Sequence, residues 1–253
     1  MKMEDGVEVL GFKVLDKPLD VKVDQRSNTK ILINTINAYS YVLTKNDPEF
    51  CNSLNSCDIL LPDGFSIVLA AKVLYGKKIK KIAGENLFYY LIEQLNASRG
   101  KVFFLGSSEQ TLKLINAKLN QEYPRIQVGM YSPPYKKQFS DQDNQAMIEA
   151  VNHFSPDVLF VGMTAPKQEK WVAEHCDKID ASIIGSIGAV FDFYAGTVNR
   201  PSNFWVRLNL EWFIRFLKEP IRLWKRYFVH TPIFFLDLLK VLITTNVGKK
   251  KTH

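Results

Sequence analysis

An acidic residue directly follows an apolar run in the segment LLPDGF, residues 60–65. The run predicts a short buried strand, Pro62 ends it, and Gly64 permits a tight turn, so Asp63 lies where a strand gives way to a loop. Two interpretations are open. Asp63 is either a turn residue whose carboxylate accepts from nearby backbone N–H groups, or a catalytic or ligand-binding acid at the carboxyl end of a sheet, where open α/β folds place their sites.

Glycine-rich turns follow three other apolar runs. Gly106 comes after KVFFL, Gly162 after VLFV, and Gly185 and Gly188 lie in SIIGSIG. Where such a turn leads into a helix, its N–H groups and the helix dipole suit a phosphate group. Each turn can equally be a simple connection, and none completes a dinucleotide fingerprint or a P-loop. Several at one sheet edge favour a nucleotide site, with Gly106 as a candidate substrate-binding residue.

The elements that position these residues follow from alternating short apolar and longer amphipathic runs. Strands are predicted at 30–34, 59–61, 101–105, 127–131, 158–161 and 181–184. Helices are predicted at 39–46, 66–75, 84–96, 109–122, 141–154 and 168–173. The alternation predicts an α/β domain over residues 1–196, with a Rossmann-like, mostly parallel sheet and helices on both faces.

Composition excludes several classes of protein. The chain has 253 residues, of which 46% are hydrophobic and 23% charged, as is typical of a globular protein with a sizeable core. Three cysteines form no CxxC pair and four histidines show no zinc spacing, so no metal site or disulfide framework is expected. The N-terminus contains acids and lacks a long apolar core, which argues against a signal peptide. These features favour a reduced, cytosolic setting.

Positive charge is concentrated in the last quarter of the chain. The net charge is +7, yet residues 197–253 contain 11 Lys or Arg and 3 Asp or Glu, and three of the four tryptophans. A helix is predicted up to Pro220, where a second begins. In the first helix Arg207, Glu211, Arg215 and Lys218 form one stripe. Residues 197–253 are therefore predicted to be a basic, aromatic-rich helical appendage.

Several roles for this appendage are considered. A membrane-spanning helix is not expected, because Asp237 and Lys240 interrupt the apolar run. Terminal helices packed on the core, and a segment lying on the membrane surface, both remain open. Nucleic acid could also bind a basic aromatic surface, but no nucleic-acid motif is present. Aromatics and cations among long aliphatics favour an anionic membrane surface as partner.

Taken together, these stretches resemble the WecG/TagA/CpsF family of bacterial glycosyltransferases over nearly the whole chain. No one motif is decisive, but seven in the right order are specific. They are NTIN (34–37), LPDG (61–64), KKIAGENLF (80–88), KVFFLGSS (101–108), GMTAPKQEKW (162–171), GSIGAVFDFYAGTVNRPSNFW (185–205) and LEWFIRFLKEPIRLWKRY (210–227).

The resemblance implies a peripheral enzyme on the cytoplasmic face of the cell membrane. It would move a hexose of the N-acetylmannosamine class, with inversion, from a UDP-sugar to a polyprenyl-diphosphate-linked saccharide, as in teichoic acid and exopolysaccharide synthesis. The UDP-sugar is then a substrate, and neither a metal nor another cofactor is expected. Glucosyl or uronosyl transfer within the family, and a non-catalytic membrane-peripheral nucleotide-binding adaptor, are the alternatives. Homo-oligomerisation is left open.

The resemblance also assigns roles to residues of the core. An inverting transfer needs one group to accept the proton of the acceptor hydroxyl, and Asp63 matches the family's proposed base. Thr35 and Asn37 match a polar pair that lines the pocket, and Gln168 matches a pocket glutamine. Lys81 stands where the family usually has an arginine, so it keeps the charge without the bidentate fork.

The remaining candidates lie near the C-terminal end. Asp192, in AVFDFYAG, is either structural or sugar-facing, and both interpretations are open. Without a metal, the charge that develops on UDP must meet protein cations and helix ends. In the family the basic appendage supplies arginines to the diphosphate. The candidates here are Arg207, Arg215 and Arg222, with Arg226 nearby.

Overall fold

The computed structural model describes residues 6–23, 29–198 and 211–250. A six-stranded, wholly parallel sheet forms its centre, in the order β4-β3-β8-β7-β5-β6. Its strands are β3 (Ile31–Ile36), β4 (Ile59–Pro62), β5 (Lys101–Gly106), β6 (Gln127–Tyr131), β7 (Val158–Gly162) and β8 (Ile183–Ser186). A separate antiparallel hairpin pairs β1 (Val7–Val9) with β2 (Phe12–Val14).

Helices connect the strands of the sheet and continue after it. In the first part of the chain they are α1 (Ala38–Thr44), α2 (Pro48–Asn55), α3 (Phe65–Tyr75), α4 (Gly84–Ser98), α5 (Glu109–Glu122), α6 (Asp141–Phe154), α7 (Lys167–His175) and α8 (Val190–Ala195). The C-terminal helices are α9 (Glu211–Lys218), α10 (Pro220–Lys225) and α11 (Thr231–Lys250), and a π-helical segment, Arg226–His230, joins the last two. The predicted α/β class is therefore confirmed, as is the break before Pro220.

Both faces of the sheet are covered by helices, as predicted. Alternate residues of a strand face opposite sides. Ile33 and Leu61 belong to one apolar cluster, which α4, α5 and α8 complete. Leu32 faces the other side, where α6 and α7 pack, and Ile36 and Leu60 join a neighbouring cluster formed with α1, α2 and α3.

Three short elements were not predicted from the sequence. They are the hairpin β1–β2 and the helices α2 and α8. The hairpin alternates buried and exposed residues along both strands, and its turn is Leu10-Gly11, both with positive φ. Such a turn matches the twist of a two-residue hairpin. All three elements pack on the sheet or on its helices and contribute buried residues to the core.

The C-terminal helix α11 packs one stripe against the α/β domain. Phe234 is fully buried and Leu238 is 5% exposed, and both belong to the cluster that includes helices α1 and α3. Asp237 accepts a hydrogen bond from Tyr41 (3.3 Å) and forms an ion pair with Lys45. Burial, reinforced by the Asp237 charge, raises the pKa of Tyr41 to about 12. The boundary at residue 196 stays a prediction, but the helix beyond it is anchored to the domain.

The helical stretch Leu223–Thr244 is long and apolar enough to cross a membrane by length and composition alone. Asp237 and Lys240, which make a spanning helix unexpected from the sequence, leave the stretch apolar enough to meet this criterion. The packed stripe still opposes spanning. Inserting this stretch in a bilayer would break the contacts of Phe234, Leu238 and Asp237 with the domain.

Candidate functional site

The carboxyl ends of β4 and β3 bring Asp63 beside Asn37. The Asp63 N–H donates to the carbonyl of Ile36 at 2.8 Å, which continues the parallel pairing of the two strands. A Cβ added at Gly64 would lie 3.7 Å from Asn37 Cβ, and Gly64 has φ +121°, a conformation that favours glycine. The half-buried carboxylate therefore lies on a turn that the backbone fixes closely against the next strand.

Asn37 caps the helix that follows it. Its Oδ1 accepts from the N–H groups of Tyr39 (3.0 Å) and Ser40 (3.1 Å), and Ser40 Oγ accepts from the Asn37 N–H in return. This capping box satisfies donors that helix α1 would otherwise leave unpaired. The side-chain oxygen is thus committed to the helix, which leaves the amide nitrogen as the group that can meet a ligand. Thr35 lies two residues before Asn37 and alternates with Ile36, so it shares the face of Ile33, and it is partly exposed. Its predicted role in the pocket stays a prediction.

The loop before α4 returns to the same edge. The Ile82 N–H donates to the carbonyl of Pro62 at 3.0 Å, which brings the exposed Lys81 close to the turn that carries Asp63. Asn86 accepts from the Ala83 N–H at 2.9 Å and so closes the first turn of α4. A cation beside the edge is therefore in place, although as lysine rather than arginine.

Gln168 is held in one orientation at the start of α7. Its Oε1 accepts from the Met163 N–H at 3.0 Å, and its Nε2 donates to Glu169 Oε1 at 2.8 Å. Because a backbone N–H can only donate, this pair of bonds assigns the amide oxygen and nitrogen unambiguously. Gly188, in the turn after β8, lies against this amide, and a Cβ there would be 3.5 Å from both of its polar atoms. Gln168 is thus fixed beside the ends of β7 and β8.

Glu169 is a buried acid that the sequence analysis did not single out. The residue is 3% exposed, and within the described part of the chain its Oε2 has no hydrogen-bond partner. Burial raises the pKa of this carboxyl from 4.5 to about 7, against the weaker lowering effect of the Gln168 hydrogen bond. Glu169 lies in the sequence PKQE, in the first turn of a helix, where an acidic residue normally interacts with the helix dipole. The sequence pattern therefore does not indicate that this side chain is buried.

Gly106 has a packing reason to be glycine. It has φ +118°, and a Cβ there would lie 2.4 Å from the carbonyl oxygen of Gly162. The turn after β5 therefore admits no side chain, whether or not a phosphate binds there. Its predicted role in substrate binding stays a prediction.

Asp192 lies in the first turn of α8. Its carbonyl accepts from Thr197 Oγ1 (3.2 Å) and from the Val198 N–H (3.3 Å), and its carboxylate lies 3.5 Å from the same hydroxyl. These bonds connect the residues that follow α8 to its first turn, which supports the structural interpretation of Asp192. The sugar-facing interpretation stays open.

The C-terminal segment reaches the candidate site through Tyr39. The guanidinium of Arg226 lies 5.1 Å from the Tyr39 ring centroid, and the His230 ring packs edge-on against the same ring. Tyr39 is two residues from Asn37, so Arg226 lies at the Asn37 side of the sheet edge. Arg207 lies outside the described residues, and so do the side chains of Arg215 and Arg222. Arg226, only a nearby candidate in the sequence, is the arginine that this contact places here.

The candidate residues follow the order of the strands along one edge. Asp63, Asn37, Gly188, Gln168 and Gly106 follow β4, β3, β8, β7 and β5 in turn. At ~4.8 Å between neighbouring strands, the ends of β4 and β7 are separated by about 14 Å. The edge is therefore wide enough for an extended ligand to lie across it. Within the described ranges, no group of three or more His, Cys, Asp or Glu could hold a metal ion.

Comparison with known proteins decides the family. The model of the "Glycosyl transferase WecG/TagA/CpsF family" matches residues 7–247. The chain belongs to this family. The match includes the core and most of the C-terminal segment, so both parts described above are family features.

Relatives of this WecG/TagA/CpsF family member include enzymes named "N-acetylglucosaminyldiphosphoundecaprenol N-acetyl-beta-D-mannosaminyltransferase". The one from Bacillus subtilis (strain 168) is 29% identical over 86% of this chain and 82% of its own length. The Bacillus spizizenii protein is 29% identical over 71% of this chain and 68% of its own. The Staphylococcus aureus (strain MW2) protein is 25% identical over 85% and 82%. The family and these names support a glycosyltransferase.

Proposed function

We propose that this glycosyltransferase moves a hexose of the N-acetylmannosamine class, with inversion, from a UDP-sugar to a saccharide on a polyprenyl diphosphate. The relatives' names specify an N-acetyl-β-D-mannosaminyl group and an N-acetylglucosaminyl-diphosphoundecaprenol acceptor. The observation that carries the proposal is the placement of Asp63 against Asn37 at the carboxyl edge of a parallel sheet. Ligands of open α/β folds bind outside this edge.

In this proposal Asp63 is the general base. It accepts the proton of the acceptor hydroxyl as the hydroxyl oxygen attacks the anomeric carbon and UDP leaves from the opposite face. The carboxylate lies on a turn fixed by the backbone, which restricts the approach of the acceptor. Gln168 is 3% exposed and oriented by Met163 and Glu169, so in this proposal its second Nε2 hydrogen meets a polar group of the sugar or nucleotide.

In this mechanism, cationic side chains must stabilise the negative charge that develops on the departing diphosphate. Lys81 and Arg226 flank the edge on the Asp63 and Asn37 side, and Arg207, Arg215 and Arg222 stay candidates for the same role. Such groups stabilise the leaving group best where water is partly excluded. This set of groups makes a metal unnecessary for the proposed transfer.

The proposed setting is the cytoplasmic surface of the membrane, with the protein bound peripherally. Large apolar side chains of the C-terminal helices are exposed, among them Ile221 (91%), Leu217 (60%) and Leu236 (57%). An exposed apolar patch with neighbouring cations is typical of membrane-surface segments. The opposite stripe of α11 holds the segment on the domain, so binding to lipid would bring the sheet edge near a lipid-linked acceptor.

Transfer assays with a panel of donors test the proposed reaction. Full-length protein is mixed with an N-acetylglucosaminyl-diphospho-lipid analogue and with UDP-N-acetylmannosamine, its uronic acid, or UDP-glucose. UDP release and the product mass are then measured. We expect one donor, of the N-acetylmannosamine class, to give product. Binding of UDP without transfer from any donor would favour the non-catalytic adaptor instead.

A further inference from the structure

Helix α3 is apolar on all sides, yet one of its faces is exposed. Nine of its eleven residues, FSIVLAAKVLY, are apolar. Ile67, Ala70 and Ala71 are buried in the cluster shared with α11, whereas Phe65, Val73 and Tyr75 are 55%, 44% and 48% exposed. A helix without a polar face is normally buried all round. The outer face of α3 therefore carries Lys72 as its one charged residue and is otherwise mostly apolar, unlike the polar face of a water-facing helix.

Lysines surround and follow this face. At 3.6 residues per turn, Phe65, Lys72, Val73 and Tyr75 lie within a ~160° arc of the helix. The loop that follows, GKKIKK, adds lysines 77, 78, 80 and 81, all exposed, while Ile79 is buried and anchors the loop. Residues 65–84 contain these five lysines and no Asp or Glu. Asp63, Glu85 and, on the adjoining strand β1, Glu8 are the nearest acids, so cations outnumber acids around this face. Apolar and aromatic side chains beside a cluster of lysines are the composition that anionic lipid surfaces bind.

The α3 face adjoins that of the C-terminal helix. Phe234 and Leu238 of α11 pack in the same cluster as Ile67, Ala70 and Ala71 of α3. The two helices also contact each other directly, so their exposed sides are neighbours. On α11 the exposed residues are Phe235, Leu236, Leu239 and Ile243. The two helices thus extend one apolar surface from the C-terminal segment onto the α/β domain.

We propose that the outer face of α3 and the lysine loop at 77–81 bind anionic membrane lipid directly. The α/β domain then contributes its own lipid contact and does not depend on the C-terminal segment alone. A second contact, on the α/β domain itself, also restricts the angle at which the domain lies on the membrane. Lys81, assigned above to the candidate site, is left out of the test.

Vesicle partitioning of the full-length protein tests this proposal. The variant Lys77→Gln/Lys78→Gln/Lys80→Gln is compared with Arg99→Gln/Arg125→Gln/Lys178→Gln, which removes three exposed cations from the opposite, amino-terminal edge of the sheet. Vesicles contain phosphatidylcholine with or without phosphatidylglycerol, at low and high sodium chloride. A basic residue near an anionic surface contributes ~1 kcal/mol, about a fivefold effect each.

We expect the lysine variant to partition at least ~10-fold more weakly onto phosphatidylglycerol vesicles at low salt, and the difference to shrink at high salt. The control should stay within about twofold of wild type, because it lies on the far edge. Equal partitioning of the lysine variant and the control would overturn the proposal. Catalysis is not measured, so the result stands whether or not the proposed transfer reaction is right.

A second variant tests the apolar part of the surface. Val73→Ser/Tyr75→Ser changes two exposed side chains of α3 and should lower the vesicle-bound fraction that resists high salt, with the melting temperature unchanged. If it instead converts a dimer to a monomer in sedimentation, with vesicle binding intact, a second copy of the chain covers this face and the proposal is wrong. Loss of RNA binding by the lysine variant, with vesicle binding intact, would also contradict it.

Discussion

The sheet edge and the C-terminal helices hold their polar groups in different ways. At the edge, backbone hydrogen bonds fix Asn37 and Gln168, and Asp63 follows a strand by one residue. In the C-terminal segment one stripe, with Phe234, Leu238 and Asp237, is attached to the domain, while most large apolar side chains point outward. In the proposed mechanism the sheet therefore positions the chemistry, and the helices are proposed to combine attachment, membrane contact and a cation at the edge.

The largest expected effect comes from removing the carboxylate at the edge. Asp63→Asn should lower turnover on the lipid-linked acceptor by roughly 10²–10⁴-fold, the usual contribution of a general base. The backbone bond to Ile36 does not involve the side chain, so the fold should be unchanged. Steady-state rates with purified protein measure the effect.

Asp177→Asn is the matched control, because it changes an exposed aspartate at the opposite edge of the sheet. Its turnover should equal that of wild type. A loss of less than tenfold in Asp63→Asn, with normal thermal melting, would exclude Asp63 as the base.

The buried carboxyl of Glu169 holds Gln168 at the sheet edge, and its ionisation is expected to change the stability of the protein. Its pKa in the folded protein is raised from 4.5 to about 7, so the folded state keeps a proton that the unfolded chain releases. The stability that the folded state gains from keeping this proton is complete below about pH 4.5 and is lost as the pH rises through about 7. The free energy of unfolding should fall by about 3 kcal/mol over that range, at ~1.4 kcal/mol per pKa unit.

Glu169→Gln should remove this pH dependence while keeping an acceptor for Gln168. Burial lowers the pKa of His175, which acts in the opposite direction as the pH rises, so the measured quantity is the difference between wild type and variant in urea unfolding at several pH values. A difference that does not change with pH would show that burial leaves the pKa of this carboxyl the same in the folded and unfolded states. Glu169→Leu, which removes the acceptor, should lower turnover as well.

Chelation is expected to have the smallest effect. Calorimetric affinity for UDP should be the same with and without EDTA, because the proposed cations are side chains of the protein. Loss of activity on chelation, restored by manganese, would contradict a metal-free transfer. It would also mean that the edge needs more than the groups described above.

The sequence predicted the sheet well because parallel strands buried on both faces are continuous apolar runs. The predicted bounds of β6, α5 and α6 coincide with the structure. Asp63 after β4 and Gln168 at α7 could be placed at the edge, because strand ends share one edge whatever their order in the sheet. The hairpin β1–β2 alternates with period two over only three residues per strand, too few for a firm prediction.

Other features depend on contacts that no local pattern contains. The burial of Glu169 follows from how α7 packs, and a helix-start glutamate is normally exposed. The contact of Arg226 with Tyr39 joins residues 187 positions apart in the chain. The exposed face of α3 is likewise invisible in the sequence, where an all-apolar helix predicts burial.

Whether the C-terminal segment completes the site or only anchors the protein is tested most directly through Arg226. Arg226→Ala is assayed on a water-soluble acceptor analogue without vesicles, beside Lys225→Ala, which changes an exposed neighbouring cation. If Arg226 binds the diphosphate, Arg226→Ala should lower turnover by about tenfold or more. Removing a hydrogen-bond donor from a fully enclosed active site lowers turnover by ~10²-fold, and the effect here should be smaller than that. Turnover of Lys225→Ala should match that of wild type. Full activity of Arg226→Ala on the soluble analogue would contradict the account, because Arg226 would then be no part of the site.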